Sequence, residues 1–280
     1  MAALGAADDE VRGFLRGFDP PQLEPHDPYP GVITEDDRWS LLSLPEVQAM
    51  REVFATLWEA APALFPRDLG AYGVTAEQKV SPVADTDLAK IYSSTARVLG
   101  LKQTTLYVRP DRGEEDVQVV GMAPPAVIVS TRLAEGRSPE ELRFLLGRAL
   151  ELTQPAYILA AGLERAEFAR LFASVLRAFH PRFMRGRSEV GAEAMEQAAS
   201  LRRALPFKVA RKLGELFRGM ARVQFDSGAW RRAVLLSAGR VGLALCGDLS
   251  TALRLVVEAD LSLAEYPLEQ LVQWAPSIRD

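Results

Sequence analysis

The sequence predicts an α+β chain, predominantly helical, with one small three-stranded sheet. Apolar residues recur at helical spacing over most of its length, most clearly at 46–61, 86–99 and through 156–259. Three short runs rich in β-branched and aromatic residues are confined to the middle, at 104–109, 117–120 and 126–131. No period of 20–50 residues recurs, which excludes a repeat array.

Residues 1–45 are interrupted by Asp19-Pro20-Pro21, Glu24-Pro25, Asp27-Pro28-Tyr29-Pro30-Gly31 and Leu44-Pro45. They read as a loop-rich leading segment or linker before a single domain over 46–280. Val47, Met50, Val53, Phe54, Leu57 and Trp58 form one helical stripe, which stops before Pro62. Leu88, Ile91, Tyr92, Thr95 and Val98 form a second, with Gly100 as its C-terminal cap. The three strands follow, separated by a turn at 112–116 and by Pro124-Pro125. Ser138, Pro139 and Glu141 make a capping box with proline at the first helical position, opening a helix to about Gln154. Beyond Pro155 helices are expected at 156–179, 190–203, 206–221, 228–246 and 249–259, with a short one near 267–274.

The chain has 280 residues, 48% apolar and 25% charged, which is globular rather than disordered composition. Its single cysteine, Cys246, excludes a disulfide framework and fits a reducing compartment. The N-terminus lacks the basic and apolar regions of a secretory signal. The longest strongly apolar stretch, Pro155 to Leu163, would rise about 13 Å as a helix, too little for a bilayer core of about 30 Å. A cytoplasmic protein without a membrane span is expected. Charge is uneven: 12 acids against 4 bases in 1–60, and 7 against 15 in 161–232. Between Leu205 and Arg222 the bases alternate with an apolar stripe. This pattern reads as a solvated helix face, with the acidic N-terminal part as intramolecular partner, rather than as a nucleic-acid surface.

The stretch from Leu88 to Thr153 resembles the HtpX-, BepA- and CAAX-prenyl-protease-type zinc metallopeptidases. The resemblance lies in Pro124-Pro125-Ala-Val-Ile-Val-Ser-Thr131 followed by Ser138-Pro-Glu-Glu-Leu142. It implies a gluzincin-like fold, with the sheet packed on a metallopeptidase-like helical core. In that family the next residues are HExxH, where two imidazoles one turn apart bind zinc and the glutamate activates water. Here the text is Arg148-Ala149-Leu150-Glu151-Leu152. Arg148 and Leu152 fall on the ligands and Ala149 on the base, and Glu151 is one residue out of place. The family's later Glu-x-x-Ala-Asp-Arg-x-Gly segment resembles Leu235 to Gly242, with Leu235 on the third ligand and Gly239 on the aspartate. A cation, aliphatic groups and a glycine supply no lone pairs for a divalent ion. The resemblance therefore implies a degenerate member: a pseudoenzyme without metal or cofactor.

The function expected is a protein-interaction or scaffold module. In the family a substrate peptide pairs beside the active-site helix, which corresponds here to Val117, Gln118, Val119 and Val120 and to a cleft over Arg148, Glu151 and Ser237. Arg148 could plug that cleft by pairing with Glu151. Related bacterial domains are joined to tetratricopeptide-repeat segments, which makes such segments, in the same or another chain, candidate partners. The alternatives are a non-metal enzyme using Arg148, Glu151, Thr153 and Ser237, and a purely structural helical oligomerisation domain. His26 and His180 both adjoin proline and read as structural; Cys246 reads as a buried, inert thiol.

Overall fold

The computed structural model describes residues 31–39, 45–111, 116–185, 191–220 and 223–258. Among them the fold is a predominantly helical α+β arrangement with a three-stranded mixed sheet. A short helix α1 (Glu35–Asp37) precedes α2 (Pro45–Ala60), and α3 (Asp87–Val98) leads into β1 (Thr105–Arg109), β2 (Val117–Val120) and β3 (Ala126–Ser130). Then come α4 (Thr131–Gly136), α5 (Pro139–Glu151), α6 (Ile158–Gly162), α7 (Arg165–Phe179) and α8 (Pro181–Arg185). The chain continues with α9 (Ala192–Ala204), α10 (Phe207–Gly219), α11 (Ser227–Cys246) and α12 (Leu249–Glu258). The expected short helix near 267–274 lies outside the described residues, as does most of the turn at 112–116. Among the described residues no helix is long and apolar enough to cross a membrane.

The sheet order is β1-β3-β2, with β1 parallel and β2 antiparallel to β3. All five residues of β3 are buried, as a central strand covered on both faces requires. Ser130 ends the strand by turning its hydroxyl to Leu133 N–H at 3.1 Å, which starts α4, a helix that the sequence reading did not include. The predicted capping box at Ser138 and Glu141 forms, with Pro139 in the first turn. Gly100 takes the left-handed conformation after α3, at φ 67°.

The predicted helix over 156–179 is two helices. α6 ends at Gly162, and α7 restarts with a capping box between Glu164 and Glu167. The chain turns extended at Leu163, and the site is tightly packed: a Cβ at Gly162 would stand 2.9 Å from the backbone nitrogen of Gly121. Residues 31–39, in the segment read as loop-rich, carry Ile33 and Arg38 into the interior, and Ile33 N–H donates to Val98 O at 2.7 Å.

An aromatic cluster joins α2, α7 and α11: Phe54 lies 5.5 Å from Phe168 and 4.7 Å from Trp230, centroid to centroid. Helix α10 buries Leu213 and Phe217 and exposes Lys208, Arg211, Lys212 and Arg218, as its periodicity predicts. One ion pair, Lys212 to Glu52 at 3.1 Å, links this basic helix to the acidic N-terminal part.

Helices α5 and α11 pack closely through glycine. A Cβ at Gly242 would lie 2.7 Å from the Phe144 carbonyl oxygen, and one at Gly147 would lie 3.3 Å from the Gly242 Cα. Gly242→Ala should therefore cost about 1–3 kcal/mol through overpacking against backbone. Gly136→Ala, with nothing within 4 Å of its Cβ, should leave stability unchanged or slightly raised. Denaturant midpoints of the two variants check this; an unshifted midpoint for Gly242→Ala would contradict the contact.

Candidate functional site

The positions that the metallopeptidase resemblance aligns with a metal site lie on α5, at its C-cap Leu152 and on α11, and their surroundings are those of a core. Ala149, Leu152, Leu235 and Gly239 are buried, and Arg148 is half-buried. Ala149 and Leu152 belong to one hydrophobic cluster that also holds Leu235, Leu236 and Ala238. These side chains carry no donor atom that fits a divalent metal. Among the described residues no group of three His, Cys, Asp or Glu side chains could hold a metal ion.

Glu151 has a partner that the sequence reading did not anticipate. Its carboxylate accepts from Nε of Arg38 at 3.1 and 3.3 Å, across 113 residues of chain. The same guanidinium donates from Nη1 to Ile33 O at 3.0 Å and from Nη2 to Leu99 O at 2.8 Å. Both side chains are almost fully buried, with 4% and 2% of their surface exposed. The charged groups that act most on Glu151 are Arg38, Arg51 and Glu35. Burial pushes the Glu151 carboxyl up, and the Arg38 guanidinium opposes that shift. Arg38 itself is held in place by α1, whose capping box joins Thr34 and Asp37. Next to it Arg51 pairs with Glu35 and sits 5.2 Å over the Trp39 ring. One signal for Arg38 was present in the sequence. Thr34-Glu-Asp-Asp37 has the spacing of a capping box, and it marks a helix start inside the loop-rich segment.

Of the polar residues offered as an alternative active site, Thr153 and Glu151 are engaged by neighbours outside that set. Thr153 donates to Leu150 O at 2.7 Å and shares a hydrogen bond with the Thr104 hydroxyl at 3.2 Å. Glu151 is turned to Arg38, and Ser237 is buried within α11. Cys246 is buried, its thiol pushed up to about 12 by desolvation, which leaves it unreactive near neutral pH.

Strand β2 forms one edge of the sheet. Ser130 N–H donates to Asp116 O at 2.9 Å. The alternation of an antiparallel ladder then turns the amides of Gln118 and Val120 inward and those of Val117 and Val119 outward. Gly162 of α6 covers the Val119 end, since a Cβ there would stand 3.5 Å from Val119 O. Val119 and Val120 are buried, while Val117 and Gln118 are half-buried. The outer edge of β1 is also occupied, by Val80 N–H donating to Leu106 O at 2.8 Å. A separate open groove of about 370 Å³ is lined by Leu64, Phe65 and Leu201 and rimmed by Arg170, Glu193 and Glu196. None of the sequence-predicted site residues lines that groove.

Comparison with known protein families, characterised proteins and solved structures finds nothing that matches this chain.

Arg38→Met should cost about 3–5 kcal/mol, because it leaves the Glu151 carboxyl buried without a counter-charge. Adding Glu151→Leu should restore most of that loss. A double-mutant cycle by urea denaturation measures both; independent, additive losses would show that the pair is not coupled.

Proposed function

We propose that this chain is a non-catalytic, metallopeptidase-like module that holds a protein partner. The observation that supports the reading is the packing of the would-be metal positions. Ala149, Leu152, Leu235 and Gly239 are buried on two helices in direct contact. Chemistry at such a place would need donor atoms and room for water and a scissile bond, and these residues supply neither. The non-metal enzyme reading is weaker, because Glu151 and Thr153 are engaged with different neighbours. Cytoplasmic location and tetratricopeptide-repeat partners belong to the same proposal and rest on the sequence alone.

Partner binding by strand addition is confined to one end of β2. Only Val117 offers an outward N–H and C=O that α6 does not approach at Gly162, so a partner strand would pair there over a short length. Side-chain contacts from Gln118 would have to supply the remaining recognition.

Metal content, proteolysis and partner capture test the proposal. Elemental analysis of protein purified with added zinc should find far less than one ion per chain, with no chelator-sensitive proteolysis of an unfolded substrate. Stoichiometric zinc would overturn the reading. A photo-crosslinking amino acid at position 117 should yield a discrete adduct in cells, and one at the exposed position 83 should not. Val117→Pro should abolish partner capture while leaving the melting temperature within a few degrees, since its N–H is not part of the ladder. Equal crosslinking at both positions would remove β2 as the binding edge.

A further inference from the structure

His180 lies 2% exposed where α7 ends, and its backbone N–H closes that helix on Leu176 O. Its Nδ1 accepts the backbone N–H of Arg182 at 3.2 Å, in the first turn of α8. A ring nitrogen that accepts carries no proton, so the neutral imidazole bears its hydrogen on Nε2. Nε2 is buried and has no hydrogen-bond partner among the described residues. Three phenylalanines surround the ring edge-on: Phe183 at 5.1 Å, Phe225 at 5.2 Å and Phe217 at 5.4 Å between centroids. They come from α8, from the segment ahead of α11 and from α10, and Phe225 also contacts both other rings. One imidazole thus joins four pieces of chain.

We propose that His180 is a pH-operated latch, which when neutral holds α8 and the phenylalanine cluster against the end of α7 and when protonated releases them. A second proton must go on Nδ1. Nδ1–H would then face the N–H of Arg182, two donors at a distance that suits a donor and an acceptor. A full charge would also sit among hydrocarbon rings, away from water.

The charged groups on the packed elements do not offset this. On α7, Arg177 donates to Phe183 O. On α8, Arg182 is the charge that acts on the ring, and it opposes protonation. Arg202 of α9 donates to the Ala178 and Arg177 carbonyls. Lys208, Arg211, Lys212, Glu215 and Arg218 lie on the exposed arc of α10. Asp226 accepts from Gly228 and Ala229 at the start of α11. Burial, and then Arg182, hold the imidazole below its ordinary value of about 6.5.

The sign follows from proton linkage. Below about pH 6.5 the released form binds a proton that the latched form does not, so release grows by up to about tenfold per pH unit until the latched midpoint is reached. Above pH 6.5 the latch is insensitive to pH.

The chain has two histidines, so its imidazole Cε1–H resonances are two, and His26→Gln assigns them. Titration of the intact protein should give a His180 midpoint below 6.5, with the Arg182 amide resonance shifting at the same midpoint. Amide exchange at 182 and 183 should accelerate by up to about tenfold per pH unit relative to His180→Gln, whose carboxamide oxygen can accept without titrating. An ordinary or raised His180 midpoint, an Arg182 amide that does not follow it, or whole-chain unfolding before His180 titrates would each overturn the proposal. The imidazole titration needs only folded wild-type protein and stands even if His180→Gln fails to fold.

Discussion

The contact between α5 and α11 is the constraint on which the rest of the molecule is built. Gly147 and Gly242 let the two backbones approach closely, with the Phe144 carbonyl where a side chain on 242 would otherwise stand. Helix α5 also packs against α3, α12 and β2, so its position sets the sheet, the N-terminal helices and the C-terminal end together. A spacer of one methyl group between α5 and α11 would be felt in all of these, because interiors are packed at near-crystalline density.

The buried Arg38–Glu151 pair is a second constraint of a different kind. It joins the end of α5, the end of α3 and the segment at 31–39 through one guanidinium with every direction used. Such a pair need not add to net stability, because both ions lose water. Its directionality is what a hydrophobic contact lacks. Only one placement of residues 31–39 satisfies Ile33 O, Leu99 O and the Glu151 carboxylate at once. The same residue that the sequence places one step away from a catalytic glutamate thus serves as an internal anchor.

Much of the fold was legible along the chain. The helical stripes, the three β-branched runs, the Ser138 capping box and the Gly100 cap each express a local rule, and each appears where that rule places it. The exceptions are two helix starts that apolar periodicity passes over. The helix read through 156–179 stops at Gly162 and restarts at the Glu164–Glu167 capping box, and Ser130 caps a turn of helix at 131–136. What is not local is the close approach of Gly162 to Gly121, which leaves no room for a side chain there.

The candidate site divides in the same way. That Arg148, Ala149, Leu152, Leu235 and Gly239 offer no metal donors is a matter of side-chain identity, and the sequence alone decided it. Which groups meet was decided only by tertiary structure. Glu151 finds Arg38 from 113 residues away, the Val119 carbonyl lies against Gly162 of α6, and His180 draws phenylalanines from three segments. Periodicity and capping act over a few residues and can be read in order. Burial of a charge or of an imidazole depends on elements brought together from a hundred positions away, and no spacing along the chain records that meeting.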